Sequence, residues 1–173
     1  MKCAPPIRDA ANRDRLWEGL AGGVIDAVVS DHSPSPPALK CLDAGDFDRA
    51  CGGIASLQLG LPLLWTAAEA RGIAIERIAE WMGAAPARLA RLDGRKGTIV
   101  VGKDADLVVF DPEVAFTVTG EALHHRHKLT PYEGRRLRGV VRATLLAGEI
   151  IYDGGTFPGK PRGEILRRSA QSS

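Results

Sequence analysis

Three observations in the sequence predict an α/β fold. A helical pattern stops at Gly22-Gly23 and passes straight into an apolar run, Val24 to Val29, which is half of a βαβ crossover. Between Ile54 and Leu92 apolar residues recur at helical spacing. After Asp93 the period changes to short β-type runs separated by glycine turns.

In chain order, Met1 to Arg8 has no lead-in element, because Pro5-Pro6 enforces an extended path. Asn12 is the expected N-cap of a helix whose inner face carries Leu16, Trp17 and Leu20. Val24 to Val29, within a strand placed at about 24–30, reads as a buried strand of a parallel sheet. Its parallel partner is expected to lie before residue 1, a first sign of an incomplete fold. Ser33 to Cys51 is a loop, with prolines early and Asp43, Asp46 and Asp48 late. Gly52-Gly53 opens an apolar segment over Ile54 to Ala70, with Leu57, Leu61, Leu64 and Ala68 on one face and a possible kink at Pro62. A second helix is expected over Ile75 to Met82 with Ile78, Trp81 and Met82 inward. Pro86 starts a third, Ala87 to Leu92, carrying Leu89.

Gly97 to Lys103, Asp106 to Phe110 and Ala115 to Val118 read as β-type runs, and Leu137 to Leu146 with Glu149 to Tyr152 as a hairpin turning at Ala147-Gly148. The division expected is 1–92 and 93–168, the second part holding a polar insert at 119–136 and an extended tail after Gly154.

Composition narrows the function classes. The 173 residues are 45% hydrophobic, enough for a real core. With 23 basic and 21 acidic residues the net charge is +2, which argues against a nucleic-acid or anionic-membrane partner. The local basic excess, Arg135 to Arg142 with Arg162, Arg167 and Arg168, is interrupted by glycines and acidic residues. Cys3, Cys41 and Cys51 form no C-x-x-C and leave an odd thiol, which fits a reducing cytoplasm. No signal peptide opens the chain, and Gln58, Pro62 and Glu69 break its most apolar window.

Asp31-His32 is the leading chemical candidate, placed where the expected strand empties into a loop. Side chains there face the end of the sheet at which α/β enzymes place their chemistry. An acid followed by an imidazole suits metal or proton-transfer work, while an aspartate that merely caps backbone amides before Pro34 explains the residues equally well. His125-Arg126-His127 spells a metal-type H-x-H, but no apolar strand leads into it and Arg126 and Lys128 disfavour a cation. The default reading is a solvated basic loop. A Cys3–His32 dyad is a remoter candidate, and Gly94-Arg95-Lys96-Gly97 only imitates part of a phosphate loop.

Val28-Val29-Ser30-Asp31-His32-Ser33-Pro34 resembles the end of the last barrel strand in cyclic amidohydrolases, the family within the amidohydrolase superfamily that holds allantoinases, dihydroorotases and hydantoinases. Lys2-Cys3-Ala4-Pro5-Pro6-Ile7-Arg8 resembles the substrate-side loop before it, and the Cys-Ala-Pro-Pro form is most similar to the allantoinase branch. Gly52 to Gln58, Leu61 to Trp65, Lys96 to Ile99, Gly102 to Val108, His127 to Gly134 and Thr144 to Tyr152 follow in family order, so the resemblance spans residues 2–168.

The resemblance implies the C-terminal fragment of a (β/α)8 TIM-barrel metal-dependent hydrolase plus part of a small composite β-sandwich domain. It implies two divalent metals, zinc by family habit, in a complete enzyme that is a homo-oligomer acting on a small cyclic ureide. Asp31 would bind one metal, take the proton of the attacking hydroxide and return it to the leaving nitrogen. Cys3, Pro5, Gly52 and Gly53 would line the substrate ring, and His32 would hold a hydrogen bond behind the ligands. The other family ligands lie on earlier strands and have no counterpart here, and His125 and His127 cannot replace them. The expectation is therefore an incomplete piece of an allantoin-hydrolysing enzyme, inactive alone and in need of an N-terminal segment. Dihydroorotase-like or dihydropyrimidinase-like activity is the alternative among enzymes, and a non-catalytic scaffold the alternative outside them.

Overall fold

A computed structural model describes residues 2–3 and 5–166 of the chain. Arg167, Arg168 and the tail end at Ser169 therefore lie outside the described residues, as does Ala4 of the Cys-Ala-Pro-Pro motif.

Helix α1 spans Ala10–Ala21. Its N-cap is Asp9 and not Asn12: the Asp9 carboxylate accepts from the Asn12 amide, satisfying one of the free N–H groups of the first turn. Leu20 is buried and Trp17 packs beside it, while Leu16 points outward.

The strand expected at 24–30 does not form. Val24 and Ile25 donate back to Gly19, Val28 donates to the Trp81 carbonyl, and one parallel bridge joins His32 to Ile54. The physical reason is the lack of neighbours: a buried parallel strand needs a ladder on each side, and among the described residues no strand flanks this one. Ile25 and Val28 still reach the helical core, while Val24 and Val29 are exposed.

A short 3-10 turn, Leu57–Leu59, leads into helix α2, Gly60–Glu69. Pro62 sits in the first turn of α2, where its missing N–H costs nothing, so it does not kink the helix. Helices α3, Ile75–Ala79, and α4, Ala85–Leu89, are continuous through a π-helical turn at Glu80–Ala84. The two separate helices expected here merge because the π turn precedes Pro86 and absorbs the break its missing N–H makes in the ladder. Leu89 is 81% exposed, so it is not the core residue its spacing suggested.

The sheet has three antiparallel strands in the order β1 (Leu107–Thr117), β2 (Arg136–Leu146), β3 (Glu149–Asp153). The runs at 106–110 and 115–118 belong to one strand bent by irregularities after Val109 and Asp111. Ala147 and Gly148 both have positive φ, as a two-residue primed hairpin turn requires. Gly97 to Lys103 forms no strand, and Ile99, Val100 and Val101 are exposed.

Helix α2 lies on the sheet. The Trp65 indole N–H donates to the Pro112 carbonyl at 3.0 Å, and the Thr66 hydroxyl accepts from the Arg138 amide at 2.8 Å. Gly139 is needed beneath this contact: its φ is +96°, and a Cβ there would come within 2.1 Å of the Phe110 ring. Trp81, Trp65, Leu64, Ile78, Ala68 and Leu20 form one core; Leu59, Val118, Leu123 and Leu137 form a second. No described helix is long and apolar enough to cross a membrane.

Candidate functional site

Three separated stretches meet around the candidate aspartate. Asp31 is exposed at the end of the extended segment, and Ser33 fixes the local turn by donating its hydroxyl to the Asp31 carbonyl at 3.1 Å. The Ser33 amide donates to the Ile54 carbonyl at 3.0 Å, which ties the aspartate's segment to the 52–57 loop. Gly53 makes this closeness possible. Its φ is +102°, and a Cβ would stand 2.3 Å from the Ser33 carbonyl oxygen. The Gly53 amide also donates to the Lys2 carbonyl at 3.2 Å, bringing the Lys2-Cys3 segment to the same place.

The imidazole of His32 is held by backbone. Its Nδ1 accepts from the amides of Ser56 and Leu57, each at 3.0 Å. An Nδ1 that accepts cannot carry a proton, so the neutral ring holds its proton on Nε2. With Nδ1 so engaged, His32 has no free Nδ1 to serve as base to Cys3.

Lys40, which nothing in the sequence pattern marked, is buried and donates all three of its N–H groups. Its ammonium meets the carbonyls of Cys51, Gly52 and Gly53 at 3.2, 3.0 and 2.7 Å. A buried ammonium is tolerated when every donor is satisfied, and here it fixes the turn that presents Gly53. Its immediate neighbours Ala38, Leu39, Cys41 and Leu42 are small or apolar, but the stretch as a whole is polar and gives no periodic signal.

The insert at 119–136 departs most from its reading as a solvated basic loop. It folds over a 3-10 turn, Gly120–Ala122, and buries Leu123, His125 and Thr130. The Thr130 hydroxyl donates to the Ala55 carbonyl at 2.9 Å. The His125 ring lies against that of His32, centroids 4.7 Å apart and planes at 56°. Neither ring nitrogen of His125 has a hydrogen-bond partner among the described residues. Burial holds its pKa below the ordinary histidine value, and the neighbouring His32, Lys128 and His124 add to that depression. The insert was misread because its Arg126 and Lys128 dominate the local composition while one Leu, one His and one Thr carry the contacts.

Of the residues singled out, the structure brings Asp31, His32, Gly52, Gly53 and the Lys2-Cys3 segment together. Pro5 is exposed. Among the described residues no group of three or more His, Cys, Asp or Glu side chains is placed to hold a metal ion. A transition-metal site takes three or four protein ligands, so Asp31 does not fit a metal with only these neighbours.

The chain is similar to known proteins over nearly its whole length. The chain is 50% identical to an allantoinase from Streptomyces avermitilis over 167 residues, 96% of this chain and 36% of the relative. It is 46% identical to an allantoinase from Arabidopsis thaliana over 156 residues, 89% of this chain and 31% of the relative. Among solved structures, an L-hydantoinase (dihydropyrimidinase) from Arthrobacter aurescens superposes with a TM-score of 0.86 at 33% identity, covering 92% of this chain and 36% of that one. A D-hydantoinase from a Thermus species gives 0.84 at 34% identity, with 92% and 35% covered. The chain thus spans about a third of the length of the curated relatives it matches. The profile of the amidohydrolase family matches residues 8–151, and with these relatives it establishes that the chain belongs to the amidohydrolase family.

Proposed function

We propose that this chain carries the C-terminal part of an allantoinase, an enzyme that opens the cyclic ureide allantoin by hydrolysing a ring C–N bond. The observation that carries the reading is the 50% identity to an allantoinase over nearly the whole chain. The convergence of Asp31, Gly53 and the Lys2-Cys3 segment supports it. Asp31 is the proposed catalytic residue. An exposed carboxylate at the end of the segment can accept a proton from the attacking water and return it to the ring nitrogen as the C–N bond breaks. Cys3, Pro5, Gly52 and Gly53 are the proposed ring-side residues, and His32 holds the loop behind them.

The same carboxylate would contribute one ligand to a divalent-metal centre, zinc in a binuclear arrangement. The remaining ligands must come from polypeptide other than the described residues. By the resemblance, residues 1–92 then belong to a (β/α)8 barrel and 93–168 to a composite β-sandwich, and the exposed apolar residues Val24, Val29, Ile99, Val100 and Val101 fit surfaces that such a larger fold would cover. The resemblance further places the complete enzyme as a homo-oligomer. Three free cysteines suit the cytoplasm.

The test is a chimera in which this chain replaces the matched C-terminal part of the Streptomyces avermitilis allantoinase. Allantoin hydrolysis by the chimera, lost in Asp31→Asn, is the expected result. The isolated chain with added zinc is expected to be inactive. A chimera that folds, binds metal and ignores allantoin would count against the reading. The hydantoinase likeness of the fold favours a second substrate class, five- or six-membered cyclic amides, so hydantoin and dihydrouracil belong in the same assay.

A further inference from the structure

We propose that His125 is a positioning residue for the candidate site, acting from the insert through the ring of His32. The proposal rests on the reading of Asp31 as the catalytic residue only for its functional meaning; the geometry stands independently. Among the described residues the His32 ring is hydrogen-bonded at Nδ1 alone, to two backbone amides of the 56–57 turn. The ring packs against the buried His125 ring at a centroid separation of 4.7 Å. Both nitrogens of His125 lack partners among the described residues, so packing of its flat ring, and not a hydrogen bond, is what it offers His32. The Thr130 hydroxyl bonds the Ala55 carbonyl one residue before the 56–57 turn, so the insert grips the same loop at a second point. A displaced His32 would release the Ser56 and Leu57 amides and loosen the bridge to Ile54 that places Asp31.

The experiment uses the 173-residue chain without substrate or metal, so an absence of catalysis, or a failure of the allantoinase reading, leaves its result intact. Amide hydrogen exchange and the imidazole nitrogen NMR signals of His32 are compared in wild type, His125→Leu and His125→Phe. Leucine fills the volume without a flat ring, whereas phenylalanine restores one. The expected result for His125→Leu is exchange about tenfold faster at Ser56 and Leu57, the factor one net hydrogen bond is worth, with the β1–β2 ladder unchanged. The His32 Nδ1 signal should lose its hydrogen-bonded acceptor character in His125→Leu and keep it in His125→Phe. Uniform acceleration of all amides would show a merely structural residue. That outcome, or unchanged Ser56 and Leu57, overturns the proposal, as does a phenylalanine variant that behaves like the leucine one.

Discussion

Helix α2 and the segment 24–29 are both apolar runs, and they end in opposite environments. In α2, Pro62, Leu64, Trp65 and Ala68 are buried against the helical core and the sheet. In the segment, Val24 and Val29 are 83% and 71% exposed. The difference lies in where each finds its partners. A helix satisfies its own backbone and needs only one apolar surface, which β2 and α3 supply within the chain. A parallel strand must receive both its hydrogen bonds and its two packing faces from other segments, and the described residues supply neither in full.

The largest effect should separate these two regions. Trp81→Ala is expected to cost about 3–5 kcal/mol, because it empties the centre of the helical core, whereas Val29→Ala should change stability by less than about 0.5 kcal/mol. Chemical denaturation of the two variants checks the contrast. Next comes Gly139→Ala, where the left-handed backbone and the Phe110 ring both oppose a Cβ; a loss of about 2–4 kcal/mol is expected in the same measurement. Lys40→Met should cost about 1–3 kcal/mol by stranding the carbonyls of Cys51, Gly52 and Gly53, and limited proteolysis should then cut near the 51–53 turn.

The smallest effect has the opposite sign. His125→Phe should raise stability by about 1 kcal/mol, since it removes two buried nitrogens that lack partners among the described residues. It should also remove a pH dependence. His125 titrates lower in the folded chain than the roughly 6.5 of an unfolded one, so the unfolded state binds the extra proton first. Wild-type stability from this group is therefore full above the ordinary histidine value and falls as pH drops through and below it. Thermal unfolding at pH 7.5 and 5.5, values chosen to bracket about 6.5, should show the difference shrink in the phenylalanine variant.

The legible parts of the fold were those set by local pattern. Gly22-Gly23 ended α1, Ala147-Gly148 turned the hairpin, and the spacing of Leu64, Ala68, Ile78 and Trp81 marked the core. The motif at Asp31-His32 was legible because a hydrophobic run stopped abruptly at an acid and an imidazole. The contacts that hold it were not. Lys40 reaches carbonyls 11 to 13 residues away, Thr130 bonds Ala55 across 75 residues, and His125 meets His32 across the fold. Each is a single side chain in a polar stretch, and no periodicity reports it. The apolar run at 24–29 misled in the other direction: its pattern reads as a strand, and among the described residues no strand pairs with it.

Amide exchange over Ile25 to Val29, measured in the isolated chain and in the chimera with the front of the Streptomyces avermitilis allantoinase, tests this account most directly. The account predicts little protection in the isolated chain beyond Ile25 and Val28, whose amides are bonded to the Gly19 and Trp81 carbonyls, and protection matching the β1–β2 ladder across the whole segment in the chimera. Equal protection of the whole segment in both proteins would contradict it.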